Sequence, residues 1–285
     1  MTIKILVGVA FLLQTGLAFA DQPSIPVSAT YDDIVAFTQQ VAHDYPQNTE
    51  LFTLGHSDSG KDIIGIKIGN GAVHNVLVST HHGNEYGATE VGKAFMLSVA
   101  QNPIAGQTMY VIPVLNIGGY NQRNREEIGG DQNSHDPNRD YPGPCGTDGP
   151  FNLQDTKAMA DFIDKENIVT SSTHDLATPY TDIFQMLTQA ATVESQYPTG
   201  NSTEIIYPAD GCYEDYAFWK FGIWSILFEL GDTHTPSDDQ VAQLEAVNVP
   251  GLRRMYEKAP TTRAANHDFT GKCDTALHTL DLHIE

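Results

Sequence analysis

Residues 78–90 read VSTHHGNEYGATE. The apolar run Val76–Val78 just before the polar residues suits a buried strand, and the helical spacing of residues 88–100 suits a helix that follows it. Between them lie two histidines, a glycine, an asparagine and a glutamate. This strand, polar loop, helix order recurs outward along the chain. The apolar runs MYVIPVLN, NIVTSST and WSILFEL read as further central strands, and residues 153–165 as another helix. Upstream, YDDIVAFTQQVAHDY (31–45) spaces Ile34, Phe37, Val41 and Ala42 as a helix does, and LFTLGHS with IIGIKIG reads as a hairpin pair. The chain shows no internal repeat and no long linker. It therefore predicts one α/β domain built on a mixed, mostly parallel twisted sheet flanked by helices.

Composition sets the class. A chain of 285 residues that is 40% hydrophobic and only 18% charged can bury a sizeable core. Residues 1–20 combine Lys4, an apolar run and the small-residue ending Ala18-Phe19-Ala20, which predicts an export signal cleaved before Asp21 and a periplasmic or secreted mature chain. No run of eighteen apolar residues occurs, so no stable membrane association is expected after cleavage. The formal charge of −21 repels phosphate backbones and sets nucleic acid aside as a partner. Cys145, Cys212 and Cys273 match no zinc-thiolate spacing, and in an oxidising compartment they predict one disulfide and one leftover thiol.

In open α/β sheets ligands bind beyond the carboxyl ends of the strands. Four such ends carry polar residues: His82 and Glu85 after the first run, Asn116 after the second, His174 and Asp175 after the third, and Glu229 near the end of the fourth. An imidazole and a carboxylate separated by two intervening residues in a tight turn can face one small cation. Zinc takes three protein ligands in a catalytic site, and His174 is the natural third. Glu229 stands in an otherwise apolar run, where a charged side chain needs a partner or a task.

These residues resemble the zinc carboxypeptidases, whose metal motif is His-x-x-Glu followed much later by a lone histidine after a strand. HGNE and SSTHD fit it with His82, Glu85 and His174; His81 is out of phase, because Asn84 lies three residues on. HDPNRDYPG resembles the segment whose Asn-Arg pair holds a terminal carboxylate, here Asn138 and Arg139. EIIYPADGCYEDY resembles the segment with a tyrosine that closes over substrate, Tyr207, and FELGDT the segment with the catalytic glutamate, Glu229. The resemblance spans about residues 31–258. It departs at NIGGYNQRNREE, where Arg123 and Arg125 are both candidates for the oxyanion arginine and Arg125, farther along the loop, is taken for the role. An ungapped alignment from Tyr207 puts Glu214 at the residue that discriminates side chains, and the resemblance, which gathers Arg139 and Tyr207 around one pocket, implies a Cys145–Cys212 disulfide.

The resemblance implies a carboxypeptidase-like fold, one zinc ion per chain, and hydrolysis of a C-terminal peptide bond with Glu229 as general base. An acid at Glu214 implies a basic or diamino-acid terminus, with a peptide or a peptidoglycan stem peptide as substrate; the sequence leaves the oligomeric state open, with a monomer favoured. Two other classes fit parts of the pattern: a zinc-dependent deacylase of the aspartoacylase or succinylglutamate desuccinylase type, and a non-catalytic peptide-binding protein.

Overall fold

The structure, a computed structural model, describes residues 29–146, 150–171, 180–207 and 209–268. The first helix, α1 (Tyr31–Asp44), starts where Asp33 accepts from the N–H and the hydroxyl of Thr30, at 2.7 and 2.8 Å. It buries Tyr31, Ile34, Thr38 and Val41, one stripe of the helix, with Phe37 and Ala42 packed at its margin. The hairpin follows as β1 (Thr49–His56) and β2 (Asp62–Ile68), paired antiparallel.

β3 (Val73–Val78) runs into the His82 loop and α2 (Tyr86–Gln101), and β4 (Gln107–Ile112) into α3 (Ile117–Gln122). A small second sheet, β5 (Glu127–Ile128) with β6 (Ser134–His135), precedes a 3-10 turn at Pro137–Arg139. Then come α4 (Gln154–Lys165), β7 (Thr170–Ser171), α5 (Thr181–Ala191), α6 (Ser202–Ile205), α7 (Tyr213–Phe221), β8 (Trp224–Ser225) and α8 (Asp238–Lys258). The main sheet has the order β1-β2-β4-β3-β7-β8. β2 meets β4 antiparallel, and β4, β3, β7 and β8 are mutually parallel, with Val76 beside both Tyr110 and Ser171, and Ser171 beside Ser225.

That parallel set delivers four chain exits to one edge of the sheet. One face is covered by α2, α5 and α8 over Leu77, Phe95, Val111, Leu187 and Met255, and the other by α4 and α7 over Val76, Tyr110, Met159, Ile163 and Tyr213. α8 lies close against the end of α5 because residue 251 is glycine: a Cβ there would fall 1.8 Å from the Ala191 carbonyl oxygen. The last strand is shorter than its apolar run suggests. Only Trp224 and Ser225 of WSILFEL pair in the sheet, so Glu229 stands four residues beyond β8, in a loop. Among the described residues no helix is long and apolar enough to cross a membrane, and residues 1–20, where an export signal is expected, lie outside them.

Candidate active site

The loop after β3 is built to a narrow tolerance. Thr80 turns the chain through a left-handed conformation (φ 61°), and its hydroxyl meets Thr89 Oγ1 at 2.6 Å and donates to the Pro113 carbonyl at 3.2 Å. Gly83 then passes against the first turn of α3, where a Cβ would lie 2.0 Å from the Gly119 carbonyl carbon. Asn116 binds both sides: its Nδ2 donates to the carbonyls of His81 (3.1 Å) and Arg125 (3.0 Å), and its Oδ1 accepts from Gly119 N–H. Backbone opposes the missing Cβ of Gly83, so Gly83→Ala must displace the loop or α3. An overpacking cost of about 1–3 kcal/mol is expected. A denaturation midpoint measured alongside zinc affinity should show both falling together.

On this loop His82 Nδ1 and Glu85 Oε1 face each other at 2.9 Å, while His82 Nε2 meets Asp136 Oδ1 at 3.1 Å. Burial disfavours charge on the His82 ring, but the hydrogen bonds to Asp136 and Glu85 outweigh it and raise the ring to about 9. Burial likewise opposes charge on Glu85 and Asp136, yet the contact with His82 holds both carboxyls below their ordinary range. The donor set fits zinc: one nitrogen and one oxygen converge, and the far nitrogen is oriented by a carboxylate, as metal-bound histidines usually are. His174 and Asp175 lie outside the described residues, among which no third donor completes a metal-binding group. His81 points elsewhere. Its Nε2 meets Tyr141 Oη at 3.2 Å, its ring packs on Tyr213, and burial with the neighbouring His82 lowers it to about 3.

The two candidate arginines separate. Arg123 donates to the carbonyls of Tyr120 and Ala29 and stacks on the Tyr120 ring, away from the histidine loop. Arg125 reaches the loop: its Nε and Nη2 both lie 2.9 Å from Asp136 Oδ2, and its Nη1 is 3.2 Å from His82 Nδ1 and 3.8 Å from Glu85 Oε1. Asp136 thus ties Arg125 to His82, a role the sequence reading missed although the residue stands two before Asn138. His234, also missed, approaches Glu85 to 3.9 Å from the opposite rim.

Arg139 donates to Tyr207 Oη at 3.0 Å, to the Asn138 carbonyl at 2.5 Å and to Cys212 Sγ at 3.3 Å. Cys212 is a free, buried thiol, so the expected Cys145–Cys212 disulfide is not formed. Its sulfur lines the cleft as a weak acceptor for Arg139, and Cys273 lies outside the described residues. Asn138 is fixed from both ends: its Oδ1 accepts from Tyr213 N–H at 2.9 Å and its Nδ2 donates to Glu214 Oε2 at 3.3 Å. Glu214 is buried in the first turn of α7, where a helix N-terminus favours an acid. Glu229 keeps an accessible surface but sits between cleft walls that displace water; burial first, and Glu85 second, raise its carboxyl above the ordinary range, against the pull of His82 and Arg125. One cavity is lined by His82, Asn138, Arg139, Tyr207, Glu214 and Glu229 together.

The zinc carboxypeptidase family model matches residues 34–175, the part of the chain that includes the His82 loop, Arg125, Asn138 and Arg139. The chain belongs to the zinc carboxypeptidase family. Among solved structures, bovine thrombin-activatable fibrinolysis inhibitor in complex with tick carboxypeptidase inhibitor superimposes with a TM-score of 0.71 at 16% identity, over 80% of this chain and 95% of that one. The carboxypeptidase A of Helicoverpa armigera gives 0.71 at 15% identity, over 82% and 74%. The ectoine utilization protein EutE (DoeB) of Ruegeria pomeroyi, in a product-bound structure, gives 0.55 at 18% identity, over 85% and 71%. At these identities the likeness is one of fold, and it bears out the carboxypeptidase-like architecture. No curated protein sequence matches the chain.

Proposed function

We propose that the chain is a zinc-dependent carboxypeptidase that removes a C-terminal residue from an exported or cell-wall peptide. The observation that carries this reading is the single cavity that joins the His82 end of the cleft to the Arg139–Tyr207 end, with Glu229 between them. Zinc held by His82, Glu85 and His174 would polarise the scissile carbonyl and acidify water. Arg139, steadied by Asn138, pairs with the terminal carboxylate of the substrate. Tyr207, half-exposed beside Arg139, covers the bound residue. Glu229 takes the proton of the attacking water and hands it to the leaving amine, a task that a raised carboxyl suits. Arg125, oriented by Asp136, donates to the oxygen on which negative charge develops. The leader-like residues 1–20 support a substrate outside the cytoplasm.

Glu214 and Asp215 place two buried acids at the inner end of the cavity. They support a preference for a terminal lysine, arginine or diamino acid, including that of a peptidoglycan stem peptide. Peptides that differ only in ending with lysine, leucine or glutamate, each with a free and an amidated C-terminus, test the reading through the masses of the products. One residue should leave from the free termini alone, and lysine fastest. Glu214→Gln should lower kcat/KM for lysine by about tenfold or more relative to leucine. Equal turnover of amidated peptides would remove the exopeptidase reading and favour the deacylase class.

A further inference from the structure

Two acids that the proposed chemistry does not use are buried side by side under the loop that delivers Arg125. Glu127, the first residue of β5, is 2% exposed, and Asp155, in the first turn of α4, is 0% exposed. Glu127 Oε1 accepts from Ser57 Oγ at 2.5 Å, from Ser59 N–H at 3.2 Å and from Gly118 N–H at 3.3 Å. Asp155 Oδ1 accepts from Thr156 N–H at 2.6 Å. The remaining oxygens, Glu127 Oε2 and Asp155 Oδ2, are buried and receive no donor. The two side chains lie within hydrogen-bonding reach of each other.

Two ionised carboxylates are not stable together in such a place. One proton between them satisfies both orphaned oxygens at once. Three donors on Glu127 favour the charge there, so the proton sits on Asp155 and is donated to Glu127. Burial, then Glu127, hold the Asp155 carboxyl well above its usual range. The other titratable groups facing the pair supply no fixed positive charge. Asp58 lies on the turn after β1, and Asp140 sits behind Thr156, whose hydroxyl it accepts at 2.5 Å. Tyr141 stands within the field of Asp155, and His135, across the strand from Glu127, is engaged by Asp131.

The position of the pair gives it a task. Glu127 pairs with His135 at the base of the β5–β6 hairpin, Arg125 lies two residues before that base, and Asp136 directly after it. Both partners of the Arg125–Asp136 ion pair therefore spring from the two ends of one short hairpin. Through Glu127 that hairpin is fastened to the turn after β1, to the start of α3 and to α4. Residue 118 is glycine at the contact, and a Cβ there would fall 2.8 Å from Glu127 Oε1.

We propose that Glu127 and Asp155 form a one-proton acid pair that fastens the β5–β6 hairpin and so holds Arg125 in place over the candidate metal site. They are positioning residues. The catalytic consequence rests on the proposed role of Arg125; the pair and its hold on the hairpin do not.

The experiment compares wild type with Asp155→Asn, whose amide is a permanent donor to Glu127, and with Glu127→Ala. The proton on Asp155 is bound in the folded state and lost in the unfolded chain above about pH 4. Its stabilisation is complete below that pH and declines as pH rises toward the folded value. The Asp155→Asn minus wild-type difference in Tm should therefore become more positive between about pH 5 and about pH 9; a difference independent of pH overturns the shared proton. The Nε–H nitrogen-15 resonance of Arg125, assigned by its loss in Arg125→Lys, should shift in Glu127→Ala and keep its place in Asp155→Asn. An unshifted resonance in Glu127→Ala overturns the hold on Arg125. If Glu127→Ala does not fold, Gly118→Ala, which crowds Glu127 Oε1, takes its place under the same criterion. With a cleavable peptide, Glu127→Ala should lower kcat about tenfold to a hundredfold with KM near wild type, and an unchanged kcat overturns the catalytic consequence. Failure of the wild type to cleave any peptide would count against the carboxypeptidase reading, while the first two measurements would still decide the pair.

Discussion

Glu229→Gln is expected to lower turnover by roughly two orders of magnitude or more, the scale of lost acid–base help, while zinc content and substrate affinity stay near wild type. The amide matches the carboxylate in shape and keeps its place in the cleft, but it cannot accept the proton of the attacking water. Affinity should survive because the proposed grip on the terminal carboxylate lies at the other end, at Arg139 with its support from Asn138. Glu229 is also not one of the converging donors: His82 Nδ1 faces Glu85, and Nε2 faces Asp136. Single-turnover rates, inhibitor binding and metal analysis on the same preparation separate the three quantities. Near-normal turnover in the glutamine variant would move the base elsewhere.

The second large effect is on metal. His82→Ala removes the nitrogen that faces Glu85 and should abolish zinc binding, and with it activity. Asp136→Asn is expected to be milder, weakening zinc about 10–100-fold, because it disturbs only the group that orients the ring. Proton and metal also compete for the ring. Burial opposes a charged His82, but the Asp136 and Glu85 contacts prevail and raise it to about 9 when no metal is bound. Zinc affinity should therefore fall steadily as pH is lowered below that value. Equilibrium dialysis of the three proteins across the neutral range checks both statements; full zinc occupancy in His82→Ala would refute the ligand assignment.

The parts of this site that repeat a pattern along the chain were legible in the sequence. The hairpin, the βα order and the strand ends that lead to His82 and Asn116 follow from periodicity and turn residues, whereas Glu229, expected near the end of its strand, stands in the loop four residues beyond it. Contacts between distant segments were not legible. Asp136 looked like one more acid in a polar loop, and only its approach to both His82 and Arg125 gives it a task. Choosing between Arg123 and Arg125 needed the left-handed turn at Arg123, which sends that side chain back onto Tyr120. The cysteine pairing failed for a related reason. Nearness to one pocket brought Cys212 beside Arg139, but a shared pocket does not bring two sulfurs together. Glu127 and Asp155 carried no signal at all, because burial of an acid is a property of the packed molecule.

The proposed function requires that a single zinc at the His82–Glu85 loop drive removal of one C-terminal residue. Its most direct test is a titration: the protein is stripped with a chelator, zinc is added back in known amounts, and the free C-terminal residue released from a lysine-ending peptide is measured at each step. Release should vanish in the stripped protein and return linearly to a plateau at one zinc per chain. Full activity after stripping, or no release at any zinc level, would contradict it.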